Sequence, residues 1–145
     1  MHIYKNLIGY KIVGVSRTLD LIMLTFEDNR GMKFYLHIQC FFRMFRNKQL
    51  ILSSWDLYRP HPEKSEVKFL WTEPGSSLFD FCLDHSRQGI YGLCVKDVVQ
   101  KKRDLLISLS DYSNIEILID TTSTDEQYRI FDDSNANHFV VPLEE

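Results

Sequence analysis

Apolar and polar residues alternate at every second position in several short stretches of this chain. The clearest stretch is 32–38, where four apolar side chains alternate with Lys33, Tyr35 and His37. A period of two is typical of a β-strand with one buried face. The polar residues 27–31, which end in Gly31, separate it from the apolar run 19–26 and favour a turn. The pattern therefore predicts an antiparallel hairpin.

Similar patterns predict more hairpins in both halves of the chain. They pair 41–46 with 49–53, 105–109 with 115–119, and 128–131 with 139–141. Three segments of the first half also have counterparts in the second, in the same order: 7–12 with 90–95, Asp20-Leu21 with Asp104-Leu105, and 42–45 with 128–131. This order predicts an internal duplication. Two antiparallel β-meander halves then pack as a sandwich or a pseudo-symmetric barrel.

A different segment lies between the halves. Three of the four prolines, at positions 60, 62 and 74, favour an extended connector over 59–76. Ser77 suits a helix N-cap, and the apolar residues 78, 79, 82 and 83 then share one helical face. Gly89 is expected to end this helix, which is predicted near 77–88. The expected fold is α+β, mostly β.

The predicted organisation is one domain over 1–145. Its parts are a first β half (1–58), the connector (59–76), and the helix with the second β half (77–145). With 44% hydrophobic and 26% charged residues, the composition is that of a globular chain and excludes intrinsic disorder. No apolar run approaches the roughly 20 residues of a membrane span.

Charge and cysteine content narrow the classes of function. The formal net charge of −3 makes general nucleic-acid binding a poor fit, although Arg43, Arg46 and Lys48 leave a local basic patch as an alternative. Three cysteines without a recognisable signal peptide indicate reduced thiols, and hence the cytoplasm. Oligomeric state and partner are not determined by these features.

No motif for catalysis, a cofactor or a metal is recognisable. The chain has neither a glycine-rich phosphate loop nor a nucleophile elbow. His37 and Cys40 have a spacing seen in zinc sites, but on a strand they point to opposite faces. The sequence therefore favours a binding protein without catalysis, and no catalytic, cofactor-binding or metal-binding residue is assigned.

Two regions are candidates for an interaction surface. Aromatic and arginine residues are interleaved between 41 and 71, a composition typical of binding faces and also of a core edged by arginines. The loop 120–126 is acidic and suited to a basic partner. The candidate residues are Arg43, Trp55, Asp56, Tyr58, Arg59, Asp120, Asp125 and Glu126.

The alternative is a small-ligand or catalytic site in the cleft between the halves. Junctions between halves are common places for pockets. His37 and Asp120 are the candidates, because the duplication places them at matching positions on the polar face of their strands. A polar, concave cleft with either side chain pointing inward is what this alternative predicts.

Several structural motifs of the chain resemble a family of small uncharacterised bacterial proteins. They are Leu7-Ile8-Gly9 with Ile12, Leu21 to Asp28, Phe42-Arg43-Met44, Trp55-Asp56-Leu57-Tyr58, Leu78-Phe79-Asp80 and Tyr128-Arg129-Ile130-Phe131. Proteins of this kind look like the immunity or accessory proteins found near bacterial toxin genes. The resemblance implies a β-rich protein that binds another protein, and it supplies no catalytic residue.

Overall fold

Ten β-strands and one α-helix form the framework of the computed structural model, which describes residues 3–64, 68–134 and 138–141. The helix α1 spans Leu78–Ile90, and short 3-10 helices cover Ile3–Leu7 and Ser54–Tyr58. The strands are β1 (Lys11–Thr18), β2 (Leu21–Glu27), β3 (Lys33–Ile38), β4 (Phe41–Arg46), β5 (Gln49–Ser53), β6 (Val95–Lys101), β7 (Asp104–Leu109), β8 (Ser113–Leu118), β9 (Tyr128–Asp132) and β10 (His138–Val141).

The alternating stretches become strands with one buried face. In β2, Ile22, Leu24 and Phe26 are fully buried, and the residues between them are partly exposed. Leu24 lies opposite Leu36 of β3, so both strands turn their apolar faces to the same core. Burial of each such side chain contributes about 1.5–3 kcal/mol relative to exposure. The predicted hairpins are confirmed.

The strands form two five-stranded antiparallel sheets packed together. The first sheet has the order β1-β2-β3-β9-β10, and the second has the order β5-β4-β8-β7-β6. The predicted mostly β fold is thus confirmed as a two-sheet arrangement and not a closed barrel. Each half of the chain forms a three-stranded meander and gives its last hairpin to the sheet of the other half.

The topology is unchanged when the strands of one half are exchanged for those of the other. The exchange replaces β1 to β5 by β6 to β10 and converts one strand order into the other. Backbone hydrogen bonds follow the same rule: Gly9 N donates to Val95 O at 2.9 Å, and Gly92 N donates to Ile12 O at 2.8 Å. Both glycines have positive φ, near 92°, which favours glycine. This geometry is what a duplication would produce, and the duplication itself stays a prediction.

The strand pairing changes one of the matches between the halves. Buried Ile22 of β2 corresponds to buried Leu105 of β7, because each follows its turn at the same distance. Asp20 therefore corresponds to Arg103, and not to Asp104 as the sequence comparison placed it. The shift by one residue reverses the charge at this position between the two turns.

The predicted helix forms and extends past its predicted end. The Ser77 hydroxyl accepts a hydrogen bond from Asp80 N, and the Asp80 carboxylate accepts one from Ser77 N, which is a capping box. Gly89 lies inside α1, where a Cβ atom would collide with the Arg46 guanidinium. The helix continues to Ile90. None of the helices in the described ranges is both long and apolar enough to cross a membrane.

Candidate functional site

A pocket of about 320 Å³ opens where four connecting segments of the fold meet. These segments are the β1–β2 turn, the crossing from β3 to β4, the beginning of the crossing from β8 to β9, and the 3-10 helix Ser54–Tyr58. Both halves of the chain contribute to it. The residues that line it are Asp20, Gln39, Cys40, Phe41, Ser54, Trp55, Leu57, Tyr58 and Asp120.

The 3-10 helix holds two aromatic side chains at the pocket. Its Ser54 hydroxyl accepts a hydrogen bond from Phe42 N at 2.7 Å and donates one to Phe42 O at 3.1 Å. Leu57 is buried in the core, which fixes the other end of the turn. Trp55 and Tyr58 consequently project outward and are 62% and 46% exposed. Their ring centroids lie 6.4 Å apart.

The two crossings are joined by backbone hydrogen bonds. Gln39 N and Cys40 N both donate to Gln127 O, at 2.7 and 3.1 Å. Ile119 N donates to the Asp104 carboxylate at 2.8 Å, which anchors the chain directly before Asp120. The segments that carry the polar lining residues are therefore tied to the sheets.

Two carboxylates in the lining have no partner among the residues that the structure describes. Asp20 and Asp120 make neither a side-chain hydrogen bond nor an ion pair with any residue in the described part of the chain. By contrast, carboxylates nearby are engaged: Asp104 accepts from Ile119 N, and Glu126 accepts from Arg129 at 2.6 Å. The lining contains no lysine, arginine or histidine. The pocket thus combines aromatic rings with uncompensated negative charge.

Cys40 is the only thiol among the lining residues, and it is a poor nucleophile. Burial raises its pKa to about 12, and the nearby charge of Asp120 acts in the same direction. A thiol with this pKa is protonated at neutral pH, and the thiolate is the reactive form. The pocket therefore does not support thiolate catalysis.

This protonation state predicts slow labelling. With iodoacetamide at pH 7.5, we expect Cys40 of the folded protein to react at least about 100-fold more slowly than Cys40 in urea, since both burial and the raised pKa suppress the thiolate. Mass spectrometry of the peptides after timed quenching measures the two rates. Equal rates in the folded and unfolded protein would contradict the suppression of the Cys40 thiolate.

The basic residues of the first half lie elsewhere and are largely paired. Arg43, on the outer face of β4, forms an ion pair with Glu116 of β8. Arg46 lies 3.2 Å from the Asp111 carboxylate, and Lys48 lies in the β4–β5 turn. A phosphate backbone would have to displace these carboxylates, which argues against a nucleic-acid interface here.

The rest of the predicted interaction surface lies outside the lining. Asp56 and the exposed Arg59 form an ion pair at 3.8 Å, and burial raises the pKa of Asp56 while Arg59 lowers it. Asp125 accepts a hydrogen bond from Ser123 in its exposed loop. Glu126 is paired with Arg129. Of the eight candidates, the structure brings Trp55, Tyr58 and Asp120 together.

His37 does not join Asp120. It lies on the outer face of β3, opposite Arg129, with its ring 4.9 Å from that of Phe131. Burial and the charge of Arg129 lower its pKa from the usual 6.5, and Glu126 opposes this shift. The alternative predicted a cleft with either side chain pointing inward. Asp120 lines the pocket and His37 does not, because His37 lies within β3 whereas Asp120 lies past the end of β8.

Sequence reasoning missed Asp20 and Gln39 as pocket residues. Asp20 stood out only as a marker of the duplication, and nothing in its neighbourhood signals a binding role. Its significance comes from the missing partner and from the fold, which places it beside a loop 100 positions later. Asp20 falls within the apolar run 19–26, so the sequence did not mark it as a turn residue.

Neither a metal-binding cluster nor a similar protein assigns a role to further residues. Within the described ranges, no three His, Cys, Asp or Glu side chains come close enough together to hold a metal ion. Comparison of the chain with family models, curated proteins and solved structures found no match.

Proposed function

We propose that this chain is a cytoplasmic protein-binding module without catalysis, of an immunity-like or regulatory kind. The surface that binds the partner is the pocket with its rim, Trp55 and Tyr58. The observation that carries this proposal is a tryptophan 62% exposed beside a concave surface. Tryptophan and tyrosine are enriched among the residues that dominate binding energy at protein interfaces.

Preorganisation supports the same surface. The Ser54 hydroxyl and buried Leu57 hold the 3-10 helix, so Trp55 is presented on backbone that is already ordered. A surface that does not have to be ordered on binding loses less conformational entropy. The rigid mounting of an exposed aromatic ring therefore favours recognition over core packing as its role.

Charge indicates the kind of partner. Asp20 and Asp120 are unpaired within the described residues, and a pocket with two free carboxylates attracts a basic surface. The three free cysteines are compatible with the reducing cytoplasm.

Removal of the Trp55 side chain tests the proposal. We expect Trp55→Ala to weaken partner binding by at least about 2 kcal/mol, because it deletes the central exposed ring. The matched control is Tyr112→Ala, since Tyr112 is an 87% exposed aromatic in the distant β7–β8 turn. The fold of both variants is checked by circular dichroism.

The measurement begins with parallel affinity captures from a lysate of the source cells. Proteins that the wild type and Tyr112→Ala retain but Trp55→Ala loses are then purified, and their affinities are measured by titration calorimetry. Support requires about a 30-fold rise in Kd for Trp55→Ala alone, the equivalent of 2 kcal/mol. Identical capture by all three chains would contradict the proposal.

A small ligand is the second candidate for the same pocket. Its volume of about 320 Å³ lies at the lower end of the range for small-molecule sites, and both halves line it. A thermal-shift screen separates the candidates: stabilisation by a small metabolite, lost in Trp55→Ala, favours this alternative.

A further inference from the structure

The aromatic side of the pocket is suited to a cation. The rings of Phe41 and Trp55 lie 6.5 Å apart, those of Trp55 and Tyr58 lie 6.4 Å apart, and Trp71 continues the series 5.0 Å from Tyr58. The electron-rich face of such rings attracts guanidinium and ammonium groups, most strongly at tryptophan. An aromatic wall alone would equally accept an apolar group, so the charge of the remaining lining decides between them.

The polar part of the lining accepts hydrogen bonds and carries negative charge. Asp20 approaches from the β1–β2 turn and Asp120 from the crossing after β8, and neither is neutralised by a residue of the described chain. The charge of Asp20 also adds to burial in raising the pKa of Tyr58, which places its negative potential at the aromatic rim. Both residues are exposed, and an apolar occupant would offer neither carboxylate a hydrogen bond or an opposite charge.

The acidic residue of the β1–β2 turn has no acidic counterpart in the second half of the chain. At the turn that corresponds to the β1–β2 turn, the second half carries Arg103 in place of Asp20. The acidic character is therefore not a general property of these turns.

We infer that the pocket receives an arginine side chain of the bound partner, with its guanidinium against Trp55 and hydrogen bonds to Asp20 and Asp120. This inference rests on the proposed function. Arginine fits better than lysine because its planar group stacks on aromatic rings and donates two parallel hydrogen bonds to a carboxylate. It is also more weakly hydrated, so transfer into a partly enclosed pocket costs less.

The test uses Nα-acetyl-arginine amide as the probe and its citrulline analogue as the neutral control of the same shape. The chain has two tryptophans, so its indole N–H groups give two NMR signals, which Trp71→Phe assigns. We expect the Trp55 signal to move saturably with the arginine probe. The citrulline probe should bind at least about tenfold more weakly, because it lacks the charge.

A matched pair of variants tests the carboxylates. Asp120→Asn should weaken the arginine probe about tenfold, whereas Asp125→Asn, in the same loop but outside the lining, should leave the affinity unchanged. Equal binding of the arginine and citrulline probes, the absence of saturable shifts, or equal effects of the two Asn variants would overturn the inference.

The two proposals can fail separately. Loss of the partner in Trp55→Ala without binding of the arginine probe leaves the protein-binding function standing and removes arginine as the occupant. Charge-dependent binding of the probe with no effect of Trp55→Ala on the partner overturns both the protein interface and the assignment of the arginine to a partner.

Discussion

Arg17→Met is expected to destabilise the protein by about 3–5 kcal/mol. Arg17 lies in β1 with only 4% of its side chain exposed, and its guanidinium is 2.7 Å from the Asp80 carboxylate of α1, itself 13% exposed. Loss of one partner from a buried ion pair leaves the other charge uncompensated, which is why the cost is several kcal/mol. Methionine keeps much of the apolar stem and removes the charge.

The same guanidinium fastens the connector between the halves. It donates to Trp71 O at 2.7 Å and to Glu73 O at 3.0 Å, in addition to both oxygens of Asp80. Together with Leu19 O, which accepts at 3.2 Å, three backbone carbonyl groups therefore lose a donor, although Glu73 O keeps hydrogen bonds from Ser76. These losses place the expected effect toward the upper part of the range.

Urea unfolding followed by circular dichroism measures this effect, with Arg87→Met as the matched control. Arg87 pairs with Asp84 on the same helix, but the two side chains are 39% and 65% exposed, and such pairs contribute about 0–1 kcal/mol. A destabilisation by Arg17→Met no larger than that of the control would contradict the prediction. Combination with Asp80→Asn should cost less than the sum of the single changes, because the two groups interact.

At acid pH, the difference in the free energy of unfolding between wild type and Arg17→Met should become smaller. Burial raises the pKa of Asp80, but hydrogen bonds from Arg17 and Ser77 outweigh it, so the net pKa lies below the usual 3.8. A lowered carboxyl pKa stabilises the fold above pH 3.8, and this contribution is lost as pH falls through the folded-state pKa. The free-energy difference should therefore be largest at neutral pH and shrink below pH 3.8. A constant difference would contradict the role of the charge.

The meander strands could be predicted from sequence because their alternation is unbroken, as in β2 and β3. The edge strands β1 and β6 do not show this pattern. Each has a bulge near its start, so its buried residues are three positions apart, at 12 and 15 in β1 and at 95 and 98 in β6. An extra residue shifts the side chains to the other face and hides the period of two.

The sequence also does not reveal that each half gives its last hairpin to the sheet of the other half. Only Gln39 and Cys40 separate β3 from β4, a length that resembles a hairpin loop, yet the strands belong to different sheets. The partners of β3 and β4 are β9 and β8, which lie far along the chain. Local sequence carries no record of such long-range pairing.

The sequence predicted the aromatic residues of the pocket but not its pair of carboxylates. Trp55 and Tyr58 could be predicted because aromatic residues beside polar ones are typical of binding surfaces, whatever the fold. Asp20 and Asp120 become a pair only when two loops, 100 positions apart, meet at one end of the sheets. His37 lies on the outer face of β3 that the alternation predicts, and it is absent from the lining because the pocket is formed by the connecting segments.

Phe42→Ala is expected to cost about 3–5 kcal/mol of stability, the usual range for a buried phenylalanine whose removal leaves a cavity. Phe42 is fully buried in β4, where it lies opposite Ile117 of β8. Its backbone N–H and C=O also bond the Ser54 hydroxyl, which holds the 3-10 helix of the pocket. The cavity would therefore lie directly beneath the segment that presents Trp55.

The matched control is Phe45→Ala, in the same strand. Phe45 is partly exposed on the outer face, beside the Arg43 guanidinium at 5.1 Å, so its loss leaves no enclosed cavity. We expect its cost to be less than half that of Phe42→Ala. Urea unfolding of both variants measures the difference, and equal costs would contradict the inward orientation of Phe42.

The exchange of halves extends this prediction to Tyr128, which corresponds to Phe42 and is also fully buried. Its hydroxyl donates to Arg103 O at 2.7 Å. Tyr128→Phe should therefore cost only about 1 kcal/mol, the net value of one hydrogen bond, whereas Tyr128→Ala should match Phe42→Ala. Equal losses would mean that the two hairpins stabilise the core equally, as expected when each completes the sheet of the other half. A much smaller loss for Tyr128→Ala would mean that the core is held mainly by the hairpin that carries the pocket.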